Sequence, residues 1–235
     1  MRYLFVVMLL LCAPCDAAEP LRVAVAANFR ATLEAINRQF EHNTGQPVVV
    51  SSASTGVLAN QILHGAPFDI FFAADRQTVF KLAAADTGPR RGEPFCYAIG
   101  SLVLVGGDGR LAQLDDPGLS LAVANPATAP YGAAAMQVLA RPEFSQGRGR
   151  KLLRAANVVQ AYQFWHSGAA ELALLPRALA PAGTPVPGHW HLPLEQFALT
   201  LRPQAAHPAL HSYLNWIRSD TVRALISEAG YRPCP

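Results

Sequence analysis

The sequence predicts an α/β fold of open, mostly parallel sheets flanked by helices, and three observations predict it. Short apolar runs alternate with segments of helical period from Leu21 to Ala84. A long apolar stretch, Tyr97–Val105, interrupts that rhythm, and a second alternating series follows it. Small polar residues gather where strands give way to helices. In open sheets of this kind ligands collect beyond the carboxyl ends of the strands, where such loops cluster.

The elements follow in order. Arg2, the apolar run Tyr3–Leu11 and a small-residue segment ending Asp16-Ala17-Ala18 read as a secretory signal peptide, residues 1–18, cleaved after Ala18. The run is too short for a membrane span, which needs roughly 18 apolar residues. Neither Cys12 nor Cys15 sits in a convincing lipoprotein cleavage context. Leu21–Ala27 reads as a buried strand, followed by Asn28 and a helix from Phe29 to about His42. Gln46-Pro47 punctuates before the strand Val48–Val50, and a helix runs through Leu58, Ile62 and Leu63 to Gly65. Asp69–Ala73 is a strand and Asp75–Ala84 a helix, which completes a βαβαβ series.

Beyond it, Tyr97–Val105 is too long and apolar for an ordinary edge strand. Leu119–Ala124 is a strand ending in Asn125-Pro126 and the loop Ala129–Gly132. Helices are expected from Ala133 to about Leu139 and from Arg148 to about Ala156. Asn157–Val159 reads as a short strand or loop, Gln160–Ser167 as a helix, and Glu171–Leu175 as a buried strand. Pro-rich loop fills Pro176–Pro193. Phe197–Leu201 is a strand, and His207–Ile217 and Asp220–Ala229 are terminal helices. If the long stretch and Phe197–Leu201 cross between two lobes, the second lobe is inserted in the first.

Composition narrows the function. The chain has 235 residues, 51% of them hydrophobic, with a net charge of +3 and no cluster of Lys and Arg. Arg148, Arg150, Lys151 and Arg154 read as the solvated start of a helix, so nucleic-acid binding has little support. Of four cysteines, Cys12 and Cys15 leave with the signal. Cys96 and Cys234 remain, which in an oxidising compartment suggests one disulfide; the alternative is two buried thiols that never meet.

The densest chemistry lies in Ser51–Gly56, SSASTG, at a strand-to-helix junction. The first N–H groups of a helix lack intrahelical partners and carry partial positive charge, which favours an anion. Ser and Thr add hydroxyl donors, and Gly56 permits close backbone approach. Such a loop can equally be a simple helix cap. His189-Trp190-His191 lies in a Pro/Gly loop with no carboxylate or Cys nearby and reads as surface rather than as a metal pair. The serines could imitate a hydrolase, but there is no GxSxG elbow.

These residues meet a known pattern. The chain resembles the periplasmic molybdate-binding proteins, receptors of ABC-type molybdate importers, from Val23 to Tyr231. The likeness rests on VAANF at Val25–Phe29, SSASTG, GAPFDIFFAAD at Gly65–Asp75 and YAIGSLVL at Tyr97–Leu104. It continues through NPATAPYG at Asn125–Gly132, VVQA at Val158–Ala161, GAAELAL at Gly168–Leu174 and AGY at Ala229–Tyr231. The resemblance implies a two-lobe binding protein of type II, with lobe 1 formed by residues 19–98 and 199–235 and lobe 2 by residues 99–198. It implies an oxyanion held by Asn28, Thr55, Tyr131 and Val158, the last two through backbone N–H groups, with Ala27 and Ser54 beside them. Ala27 stands where relatives can have a hydroxyl residue, and Leu175-Pro176 lacks a Tyr that another branch uses.

Chemistry independent of the resemblance also favours molybdate or tungstate. Both are fully deprotonated near neutral pH and accept hydrogen bonds only, whereas phosphate retains a proton that a carboxylate would accept. No Asp or Glu lies in the four loops. The expected protein is thus a periplasmic, monomeric, non-enzymatic receptor without a cofactor. It hands molybdate or tungstate to an inner-membrane ABC permease and does not bind nucleic acid. The alternatives are a receptor for sulfate or another tetrahedral oxyanion and, more remotely, a periplasmic serine hydrolase.

Overall fold

The computed structural model describes residues 18–85, 92–203 and 207–234. The expected signal peptide, apart from Ala18, lies outside them. The chain folds as two mixed sheets flanked by helices, and each sheet has five strands. No helix among the described residues is long and apolar enough to cross a membrane.

The first sheet grows from the opening βαβαβ series: β1 (Leu21–Ala26), α1 (Arg30–Thr44), β2 (Val48–Ala53), α2 (Thr55–Leu63), β3 (Ile70–Ala73) and α3 (Arg76–Ala84). β1 lies between β2 and β3 and runs parallel to both. Its register with β2 is continuous from Leu21↔Val48 to Ala26↔Ala53. Nearly every β1 side chain is buried, since helices cover both faces. α1 packs Leu33, Ile36 and Phe40 into one core, while α2 packs Leu58 and Ile62 into another on the opposite face. α1 ends at Gly45, whose φ of 69° supplies the left-handed conformation a helix stop needs.

The long apolar stretch divides at Ser101. β4 (Phe95–Gly100) completes the first sheet and β5 (Leu102–Gly106) belongs to the second. The return strand β10 (Leu194–Thr200) lies antiparallel between β3 and β4. The first sheet therefore has the order β2-β1-β3-β10-β4. Boundaries at 98 and 199 fall inside β4 and β10, both of which this sheet holds whole.

The second sheet repeats the plan in the order β7-β6-β8-β5-β9. It is built from β6 (Leu121–Ala124), α4 (Pro130–Leu139), β7 (Leu152–Ala155), α5 (Val158–His166), β8 (Leu172–Pro176) and the short β9 (Thr184–Pro185). In both sheets the chain leaves a central strand, β1 or β6, for one neighbour and then crosses to the other side. That reversal opens a crevice at the carboxyl ends of the strands. α6 (Leu210–Ile217) and α7 (Asp220–Glu228) return to the first lobe and pack on α1.

Two expected elements differ. Val158 and Val159, expected in a short strand or loop before a helix from Gln160, are the first residues of α5, which Asn157 caps. The second difference is larger. The helix from Arg148 to Ala156 is a turn followed by β7, which pairs with β6 from Leu121↔Leu152 to Ala124↔Ala155. Gly149, at φ 95°, breaks a helix at its start. Arg150, far from being solvated, is buried, with Nε donating to Gly147 O at 3.0 Å and Nη2 donating to Leu114 O. Pairing with β6 overrides the helical preference of Lys151–Ala155.

A disulfide joins Cys96 on β4 to Cys234 beyond α7, with Cα atoms 6.1 Å apart and 138 residues between them in sequence. With the Ile99↔Arg232 bridge it holds the C-terminal tail on the first sheet's edge. Replacing both cysteines by Ala should lower the free energy of urea unfolding, by at most about 4–5 kcal/mol in the chain-entropy model. Unfolding midpoints that do not differ, with or without reductant, would contradict a stabilising bridge.

Candidate functional site

A small cavity lies between the lobes, at the crevice of each sheet. From the first lobe it is lined by Ala27 and Asn28 after β1, Ser54 and Thr55 after β2, and Ala74 after β3. From the second come Ala129, Pro130 and Tyr131 at the start of α4, and Asn157 and Val158 at the start of α5. All six residues expected from the sequence thus meet at one place. Space for the centre of a water-sized sphere amounts to about 10 Å³, close to the minimum that holds a single water.

Local sequence explains why donors are left over here. At α2, Ser54 occupies the capping position yet makes no capping bond, and its buried Oγ has no partner. Thr55 Oγ1 accepts the Ala74 N–H at 3.0 Å, which leaves its own proton to donate. At α5, Asn157 Oδ1 accepts from Val159 N and Gln160 N at 3.0 and 3.1 Å. That cap satisfies the second and third helical N–H groups and leaves the first, Val158, unspent. At α4 the first position is Pro130, which has no N–H, so Tyr131 supplies the first donor. Among the described residues, the backbone N–H groups of Asn28, Thr55, Tyr131 and Val158 have no hydrogen-bond acceptor.

Gly56 behaves otherwise than the sequence suggests. Its N–H donates to Thr128 O of the opposite lobe at 2.9 Å, so it closes the cleft beside the cavity.

A buried polar network lies behind the cavity and links the lobes. Gln196 on β10 is fully buried, and its Oε1 accepts from Asn28 Nδ2 at 2.8 Å and Tyr97 OH at 2.9 Å. Its Nε2 donates to the hydroxyl of Tyr131 at 3.1 Å, across the interlobe boundary. Asn28 Nδ2 also reaches Tyr231 OH at 3.3 Å, and that hydroxyl donates to Asn28 O at 2.7 Å. The Asn28 amide nitrogen is therefore spent on the network, which leaves the backbone N–H for a ligand. Tyr131 is more than a core aromatic, because one end of the residue faces the cavity and the other joins the network.

The arrangement is electrically neutral. No Asp, Glu, Lys, Arg or His lines the cavity. The nearby Asp75 is spent as the cap of α3, accepting from Thr78 N at 2.6 Å and Thr78 Oγ1 at 3.0 Å. Burial raises the pKa values of Tyr97 and Tyr131 well above the ordinary tyrosine value, and that of Tyr231 in the same direction. These phenols stay protonated and add no negative charge near an anion.

This architecture has known counterparts. The family model for bacterial extracellular solute-binding proteins matches residues 21–232. The chain belongs to that family. The molybdate-binding protein ModA of Azotobacter vinelandii is 38% identical over 239 residues, covering 95% of this chain and 93% of the relative. ModA of Rhodobacter capsulatus is 32% identical over 227 residues, covering 92% of this chain and 89% of the relative. The solved structure of a periplasmic molybdate-binding protein from Azotobacter vinelandii superposes with a TM-score of 0.78 at 32% identity, covering 92% of this chain and all of that one.

For this solute-binding protein, sequence reasoning missed Asn157, Gln196, Tyr97 and Tyr231. Asn157 was findable, since Asn ahead of a helical segment is a strong cap signal; the expected helix just before it hid that signal. Gln196 carries no local signal. A lone Gln in an apolar strand gains its role only from what three other segments bring to it.

Two stability measurements check this site. A capping Ser replaced by Ala normally costs about 0.5–2 kcal/mol. Here Ser54→Ala removes a buried hydroxyl with no partner, so unliganded stability should rise by about 1 kcal/mol; a clear loss in urea unfolding would make Ser54 an ordinary cap. The phenols add a pH dependence. Below the unfolded-chain tyrosine pKa of about 10 they are protonated in both states and have no effect. Above it the unfolded chain releases protons that the native state keeps, so stability should fall as pH rises. Tyr97→Phe should reduce that alkaline slope.

Proposed function

We propose that this protein is an exported receptor that closes around molybdate, or the nearly isosteric tungstate, and delivers it to an ABC-type importer in the inner membrane. The observation that carries the reading is the neutral, donor-only cavity. Four backbone N–H groups and the hydroxyls of Ser54 and Thr55 converge from two lobes, with no carboxylate among them.

Hydrogen bonds to a charged acceptor are worth about 1.5–3 kcal/mol each, roughly twice neutral ones. A dianion buried without them would be prohibitively unstable. Molybdate and tungstate accept at every oxygen near neutral pH, so each donor finds a partner and no donated proton is left over. Hydrogen phosphate would present an O–H to a wall with no carboxylate to receive it. Sulfate has the same charge but shorter bonds, so it must be rejected by the spacing of the donors in the closed state. The names of the relatives support the same assignment. The receptor acts as a monomer, needs no cofactor, and performs no chemistry; no histidine or carboxylate lines the cavity to activate a serine. It is periplasmic in this reading, residues 1–18 being its export signal.

Titration calorimetry with molybdate, tungstate, sulfate and phosphate tests the proposal. The first two should bind, raise the melting temperature, and do so nearly independently of pH from about 6 to 9, because no cavity group titrates there. Equal stabilisation by all four anions would remove the selectivity. Thr55→Ala should weaken molybdate binding by about 1.5–3 kcal/mol, the loss of one charge-assisted bond, and Thr55→Ser should restore most of it. An unaffected Thr55→Ala variant would exclude that hydroxyl as a donor.

A further inference from the structure

We propose that Gly56 sets the distance at which the two lobes stop closing, and so gauges the oxyanion cavity. The ligand in this inference rests on the molybdate reading; the contact itself does not. The Gly56 N–H donates to Thr128 O at 2.9 Å across the cleft. A Cβ at residue 56 would lie 3.1 Å from Thr128 Cα and 3.2 Å from Thr128 O, both backbone atoms of the opposite lobe. Any side chain there must push the lobes apart by a few tenths of an ångström.

Glycine is not required at this position by backbone conformation. Gly56 is absent from the glycines with positive φ and lies in the first turn of α2, where Ala is the better helix former. What the glycine provides is approach. Thr128 cannot yield locally either, because its turn is tied to Asn125. Thr128 N and Ala129 N donate to Asn125 O at 3.2 and 2.9 Å, and Ala127 N donates to Asn125 Oδ1 at 3.1 Å.

The contact is coupled to the donors by the covalent chain. Gly56 follows Thr55 directly, and Thr128 is three residues before Tyr131 at the start of α4. A displacement of Thr128 from Gly56 therefore moves the Tyr131 N–H away from the Thr55 donors by a similar amount. N–H···O hydrogen bonds span only about 2.7–3.2 Å, so tenths of an ångström decide whether donors of both lobes reach the same anion.

The test compares wild type, Gly56→Ala and Gly56→Val by stopped-flow dissociation of molybdate, with urea unfolding of the unliganded proteins as control. Gly56→Ala should keep or raise the urea midpoint while molybdate dissociates roughly 2- to 10-fold faster, the effect of losing one neutral hydrogen bond. Gly56→Val should dissociate faster still. A purely structural glycine would instead lower the midpoint and leave dissociation unchanged, and unchanged dissociation in both variants overturns the proposal. If wild type binds no molybdate, the oxyanion reading fails. The gauge is then judged on hydrogen exchange of the residue-56 amide without ligand. Protection in wild type that is lost in Gly56→Ala supports it, and equal exchange refutes it.

Discussion

A helix cannot satisfy its own first N–H groups, and this protein withholds the usual remedy at several helix starts at once. Ordinary caps appear where nothing need bind: Asp75 serves α3, and Ser219 serves α7. Around the cavity the remedy is absent or partial. Ser54 does not cap α2, Ala129 cannot cap α4, and Asn157 caps α5 only beyond its first residue. Donors left bare and buried in this way destabilise the fold, and the stabilisation must come from the apolar clusters around them. One such cluster spans the cleft, joining Ala26, Ala27 and Ala74 of the first lobe to Ala129, Tyr131 and Val158 of the second.

The small side chains in that cluster have a physical reason. Alanine leaves room for backbone to approach a ligand, and it contributes no polar group that would compete for the donors. The polar network behind the cavity faces the other way. Gln196 gathers Asn28, Tyr97 and Tyr131, each of which is hydrogen-bonded to its amide. A satisfied buried network is rigid and specific. It fixes the loop after β1 and reaches the first turn of α4, so donors from separate lobes stand on a common support.

Much of this was legible in the chain. The strand–helix alternation gave the α/β architecture, because a period of two and a period of 3.6 are local properties of side-chain order. The hydroxyl-rich junction at Ser51–Gly56 was identifiable as a site of unspent donors, since helix starts and small polar residues are local as well; Asn28, Tyr131 and Val158 were reached only through the family resemblance. The two cysteines beyond the signal were countable. Where local preference competed with long-range pairing, sequence reasoning failed: Lys151–Ala155 favours a helix in isolation, and only the edge of β6 makes it a strand.

Tertiary structure alone decided the rest. Tyr97–Val105 reads as one strand, yet it divides at Ser101 because Gly100 pairs with Leu194 in one sheet and Leu102 with Pro176 in the other. Gln196 becomes a shared partner only when β10 is inserted between β3 and β4. Gly56 could be seen as permissive from sequence, but what it approaches is Thr128, 72 positions away and in the other lobe. Sequence determined which groups would be donors, because that depends on the residues next to each helix start. Structure decided where they point and how closely they converge, because that depends on how the two sheets meet.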